Sequence, residues 1–216
     1  SLCASEHPNI IYILADDLGY GDLGCYNPES KIPTPRLDQL ARQGMRFTDA
    51  HSPSSVCTPT RYSLLTGRYA WRTRLQRNVL GPWNEPLIAP DRLTVGKLLQ
   101  KHGYTTACVG KWHLGQNYVT TDGERSEERR VGKECRSIGI PSTLATGGVY
   151  NVPGPMVPGW KLEEILPQLT THAARWIEDS AKSDQPFFLY FSLTSPHYPV
   201  VPAPEFVGST SVGAYG

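Results

Sequence analysis

The run Cys57-Thr58-Pro59-Thr60-Arg61 places a thiol, a helix-starting proline and a guanidinium within one helical turn, then continues into Tyr62-Ser63-Leu64-Leu65-Thr66-Gly67-Arg68. Proline is favoured at the first helical position, where its missing N–H leaves nothing unsatisfied, so a helix is expected to begin near Pro59 with Cys57 at its mouth. Free N–H groups and the positive end of the helix dipole then face the cysteine, and Arg61 adds a fixed charge for an anion held there. A half-buried thiol ahead of an ordinary amphipathic helix fits the same spacing.

Three further groups of ionisable residues each follow a short apolar run. Residues 9–15 (N-I-I-Y-I-L-A) have the pattern of a strand covered on both faces, as in a parallel sheet, and they end in Asp16-Asp17. Adjacent carboxylates after a buried strand need a cation or donors to compensate them, and open α/β sheets place ligands beyond the carboxyl ends of their strands. A hard cation such as Ca²⁺ or Mg²⁺ fits this pair, and so does a solvated loop. Residues 104–109 read as a second strand, ending in Gly110-Lys111-Trp112-His113-Leu114-Gly115. If the chain stays extended there, Lys111 and His113 leave on the same side. The third strand, residues 186–193, runs into Thr194-Ser195-Pro196-His197. Taken singly, the G-K-x-H turn and the histidine after proline are ordinary surface features; three strands ending in this way, in this order, describe a site.

The elements that position these groups are also legible. Thr34-Pro35 caps and opens a helix with Leu37, Leu40 and Ala41 on one face and Gly44 as its stop. Residues 45–48 are expected to form a short strand leading to His51, which reads as structural or surface. Residues 69–92, without periodicity, read as a long ordered loop near the site opening. Thr94 caps a second helix with Val95, Leu98 and Leu99 inward and Gly103 as terminator, and Pro167 opens a third in which Leu169, Ala173, Trp176 and Ile177 recur at helical spacing. The order predicts an α/β fold with a mostly parallel central sheet and helices on both faces.

The stretch from Cys57 resembles the sulfatase signature, C-x-P-x-R followed by x-x-L-L-T-G, at Cys57, Pro59, Arg61, Leu64, Leu65, Thr66 and Gly67. Cysteine phosphatases are excluded, because they carry an arginine six residues after the cysteine, and position 63 is serine. Residues 110–115 resemble that family's second motif, G-K-W-H-L-G, and residues 187–197 its F-F-L-Y-x-x-x-x-x-P-H element. The resemblance implies an arylsulfatase-like sulfuric ester hydrolase of the alkaline phosphatase-like superfamily. In that family the cysteine is oxidised after translation to formylglycine, whose hydrated aldehyde is the nucleophile, so Cys57 is implied as a precursor. Arg61 and Lys111 are implied as cations near the sulfate, His113 as the base for the formylglycine hydroxyl, and His197 as proton donor to the leaving group. Asp16 and Asp17, with residue 57, are implied as ligands of a divalent cation, calcium before magnesium. The implied partners are a sulfated small molecule or glycan and a formylglycine-generating enzyme. A formylglycine-dependent phosphonate or phosphodiester hydrolase is the neighbouring alternative, and an inactive anion- or cation-binding module is the alternative of a different class.

With 216 residues and a net charge of +1, the chain has no broad electrostatic case for nucleic acid or an anionic membrane. The five cysteines lack C-x-x-C spacing, so neither zinc nor a dense disulfide framework is indicated. No apolar run has the length of a membrane span. The small residues 1–5 are like the tail of a cleaved export signal, which suggests an exported protein. Residues 125–137 carry eight charges in thirteen positions and are similar to a translated sequencing adapter; they are expected to be a non-native insert, a view that long-read resequencing would refute by recovering the same codons. The resemblance covers residues 1–216 as the front portion of the catalytic domain, so the fold is expected to be incomplete at the C-terminus.

Overall fold

The computed structural model describes residues 7–81, 84–115, 137–138 and 161–216. Within them the chain forms β1 (Ile10–Asp16), α1 (Pro35–Gln43), α2 (Cys57–Thr66), α3 (Val95–Lys101), β2 (Thr105–Gly110), β3 (Ser137–Ile138), α4 (Ile165–Ser180) and β4 (Phe187–Pro196). The expected non-native insert lies outside the described residues, apart from Ser137, which opens β3.

The four strands pair in the order β1-β4-β2-β3, and every pairing is parallel. The last strand in sequence is thus inserted between the first two. Its register places Ser192 level with both Leu14 of β1 and Gly110 of β2, so the carboxyl ends of three strands meet at one edge.

Alternation along the strands divides the core in two. On one face Cys108, Phe188 and Tyr190 pack with Tyr62 and Leu65 of α2, with Val95 and Leu99 of α3 beside them. On the other, Ala107, Val109, Leu189 and Phe191 pack against Leu169 and Ala173 of α4. Helices therefore cover both faces, as the apolar runs in β2 and β4 require. Trp176 sits edge-to-face on Phe187 at 5.3 Å between ring centroids, a core contact.

Several elements differ from their sequence reading. Among the described residues β1 lies at the edge of the sheet, and Ile11 and Ile13 are 44% and 59% exposed instead of covered on both faces. The apolar side of α1 is open, with Leu37 and Leu40 exposed, and Leu98 of α3 faces outward while Val95 and Leu99 pack inward. Residues 45–48 form no strand; without a neighbouring strand to pair with, Met45 and Phe47 stay exposed. Helix α2 starts at Cys57, so Pro59 lies third in the helix, still within the first turn, where a missing N–H leaves no bond unmade. The loop after α2 contains a short 3₁₀ turn at Ala70–Arg72 and contributes Ala70, Leu80 and Leu87 to the core. No helix among the described residues is long and apolar enough to cross a membrane.

The approach of β2 to β4 depends on Gly110, whose φ is 106° and whose absent Cβ would land on the Ser192 carbonyl oxygen. Gly103, with φ 86°, shares the left-handed backbone but has nothing within 4 Å of a Cβ. Gly110→Ala is therefore expected to destabilise the fold by roughly 3 kcal/mol or more, against roughly 1 kcal/mol for Gly103→Ala, in denaturant titrations. Equal losses at the two positions would refute the close approach.

Candidate active site

The structure brings residues from all three strand ends and from α2 into one buried cluster. Asp16 closes β1 and is 4% exposed; its two carboxylate oxygens take Arg61 Nη2 at 3.0 Å and Lys111 Nζ at 2.5 Å. Arg61, one turn into α2, is 1% exposed, and its Nη1 donates to the Lys111 carbonyl at 2.8 Å and to the Ser192 hydroxyl. Lys111, 6% exposed, in turn donates its backbone N–H to the Ser192 carbonyl at 2.8 Å. Two buried cations against one carboxylate leave a positive charge in excess, and such a pocket favours an anion.

Cys57 is a free, partly buried thiol at the first position of α2. Its neighbour Thr58 is fully buried and ties the helix start to two other segments. The Thr58 hydroxyl donates to the His113 carbonyl at 2.9 Å and accepts the Leu80 N–H at 3.2 Å. The helix mouth is thus fixed against both the Lys111-to-His113 turn and the loop after α2.

His113 does not continue the strand. Its φ is 52°, so the chain turns sharply after Gly110 and the two side chains part instead of leaving on one side: Lys111 goes to Asp16, His113 to the Leu80 carbonyl. The Leu80 oxygen can only accept, so His113 Nε2, 2.9 Å away, carries the proton and Nδ1 holds the lone pair. Burial pushes the His113 pKa down to about 4; the Leu80 contact opposes this, and the positive charges of Lys111 and Arg61 add to it. The ring is therefore neutral at physiological pH, with Nδ1 unprotonated. Two atoms of the cluster are buried without a partner: His113 Nδ1, an acceptor, and Arg61 Nε, a donor.

His197 follows β4 at the rim, with Nε2 3.7 Å from Asp17 Oδ2 and Nδ1 on the Tyr198 carbonyl at 2.6 Å. Asp17 itself is exposed, in a left-handed turn with φ 69°. Asp16, Asp17 and Cys57 are the expected ligands of a divalent cation. Among the described residues no three acidic, histidine or cysteine side chains group around a cation position. Both Asp16 oxygens meet Arg61 and Lys111, while Asp17 turns to solvent and His197. A calcium ion typically takes about six to eight oxygen ligands, more than the described residues supply by themselves. His51 pairs with Asp49 in the open at 2.7 Å, away from this cluster.

Sequence reasoning missed Ser192, Thr58 and the Leu80 carbonyl. Ser192 carried one signal, a polar residue at the end of the run F-F-L-Y-F, and Thr58 another, its place beside the cysteine. Leu80 carried none, since its role rests on a backbone atom.

The sulfatase family model matches residues 8–215. Human arylsulfatase A is 37% identical over all of this chain and 46% of its own length. The N-acetylgalactosamine-6-O-sulfatase of Bacteroides thetaiotaomicron is 33% identical over 98% of this chain and 52% of its own. A solved Bacteroides thetaiotaomicron structure, described under the metabolism of multiple glycosaminoglycans, superposes with a TM-score of 0.80 at 29% identity, covering 98% of this chain and 56% of that one. A Pseudoalteromonas sulfatase superposes with a TM-score of 0.74 at 27% identity over 95% of this chain and 47% of that one. The chain thus spans about half the length of the curated relatives it matches.

Two outcomes follow from the cluster. Asp16→Ala leaves two buried cations uncompensated and is expected to cost roughly 3–5 kcal/mol in equilibrium unfolding; a loss under 1 kcal/mol would show the pairs to be absent. For His113 the folded pKa lies below the unfolded value, so the unfolded chain binds the extra proton first. Its contribution is present above pH 6.5 and is lost as pH falls toward 4, by roughly 3 kcal/mol in all. Unfolding titrations of the wild type and His113→Gln between pH 4 and pH 7 check this: the variant should show the shallower dependence, and identical slopes would contradict it.

Proposed function

The chain belongs to the sulfatase family, and from that membership and the buried Asp16, Arg61 and Lys111 cluster we propose that the full-length protein hydrolyses sulfate esters, with residue 57 as the site of its nucleophile. The observation that carries this reading is the excess positive charge buried one helical turn from Cys57. A sulfate ester is a tetrahedral oxyanion, and donors fixed before it arrives cost no reorganisation during the reaction.

Sulfatases generally depend on formylglycine and a divalent cation. The described residues do not complete a cation site, and the chemistry assigned to this chain rests on its own cations. The residues do fit formylglycine at position 57. A hydrated aldehyde offers both a hydroxyl proton and oxygen lone pairs, the two complements of the orphaned His113 Nδ1 and Arg61 Nε. When formed, the group supplies a hydroxyl nucleophile for sulfur and a second hydroxyl through which sulfate is expelled.

The remaining work falls to residues of this chain. Lys111 and Arg61 hold negative charge at the sulfuryl oxygens, and Asp16 keeps both cations aimed by binding one end of each. His113, neutral and protonated only on Nε2, takes up a hydroxyl proton at Nδ1. His197 at the rim, its Nε2 beside Asp17, is the donor that a leaving alcohol would need. The named relatives make aryl and carbohydrate sulfates the substrate classes to try.

Coexpression of the full-length protein with formylglycine-generating enzyme is expected to lower the mass of the residue-57 peptide by about 18 Da, the change from thiol to aldehyde. Cys57→Ala should then lose turnover of an aryl sulfate by about a thousandfold or more. Undiminished hydrolysis by that variant would end the proposal.

A further inference from the structure

We infer that Ser192 is a positioning residue for the anion-binding cations, an inference that rests on the sulfate-ester reading of the same site. Ser192 is fully buried within β4, level with Leu14 on one side and Gly110 on the other. Its hydroxyl accepts from Arg61 Nη1 and its carbonyl accepts from the Lys111 N–H, while Arg61 Nη1 also reaches the Lys111 carbonyl. Three residues from α2, from the exit of β2 and from β4 thereby close a ring of hydrogen bonds.

That ring sets which guanidinium face remains for the reaction. Nη1 is spent on Ser192 and Lys111, Nη2 on Asp16, and the buried Nε–H is left without a partner. Removing the Ser192 hydroxyl strands a second buried N–H and frees the guanidinium to pivot about its Asp16 contact, which takes Nε out of register. The preceding residues on this face, Phe188 and Tyr190, are core aromatics, and the Tyr190 hydroxyl faces the same Ser192 and Arg61 side chains. The contacts of Ser192 run to Arg61 and Lys111, and it acts through them.

The test uses full-length protein carrying the aldehyde at residue 57, with steady-state hydrolysis of an aryl sulfate and calorimetric titration of inorganic sulfate. Ser192→Ala is expected to raise both KM and the sulfate Kd by about tenfold, with a smaller change in kcat. Ser192→Thr, which keeps the hydroxyl, should restore both to within about threefold of wild type. Should the alanine variant fail to fold, Ser192→Cys, similar in shape but a weak acceptor, is expected to show the same loss. A folded alanine or cysteine variant matching wild type in both readouts overturns the inference, as does a threonine variant as weak as alanine. If the wild type turns over no sulfate ester but the titrations still separate the variants, the hydrolase reading falls and the Ser192 assignment stands. If no variant and no wild type binds sulfate, the assignment falls too.

Discussion

A buried carboxylate facing two buried cations is the constraint on which this structure turns. Asp16 would be costly to bury alone, and so would Arg61 or Lys111; each is tolerable only because the others are in place. The requirement reaches outward from three side chains to whole elements. It fixes where β1 stops, how deep α2 approaches the sheet, and which way the chain turns on leaving β2. Charge balance also gives the cluster its chemical character, since two cations to one anion leave a standing preference for a further negative group.

Backbone geometry then converts that preference into a site with direction. Gly110 lets β2 come against the Ser192 carbonyl, so the Lys111 amide and side chain bridge neighbouring strand ends. The turn that follows carries His113 to the Leu80 carbonyl, which settles its tautomer and leaves Nδ1 buried without a proton. Thr58 holds the start of α2 against the same turn. A residue at position 57 therefore sits on a helix end tied to the turn at His113 and to the loop after α2. Rigid strands and a short buried helix start supply this placement, in contrast to the open residues around Met45 and Phe47.

Much of this was legible from residue order, because local patterns reported on local chemistry. Unbroken apolar runs marked β2 and β4, Thr94 marked its helix cap, and Leu169 with Ala173 marked the inner stripe of α4. Pattern failed where the outcome depends on what lies alongside. Residues 9–15 read as a doubly covered strand, yet β1 forms the edge, and an apolar run carries no record of its neighbours. Leu37 and Leu40 lie on one face of α1 as their spacing indicates, but spacing does not say what covers that face. The site shows the same division. Asp16, Arg61 and Lys111 were readable as charged residues at strand and helix ends, whereas their pairing with one another is a long-range fact, across 45 and 95 residues in sequence. The turn at His113 and the part of Leu80 were hidden because both rest on backbone conformation.

The claim beneath all of this is that the buried cations next to residue 57 form one pocket for a sulfuryl group. A crystal structure of the full-length protein, converted at residue 57 and grown with inorganic sulfate, addresses it directly. The account predicts a sulfate within hydrogen-bonding distance of Lys111 Nζ and residue 57, with Arg61 still held by Asp16 and Ser192. Sulfate found only elsewhere on the surface, or Arg61 turned out to solvent, would contradict it.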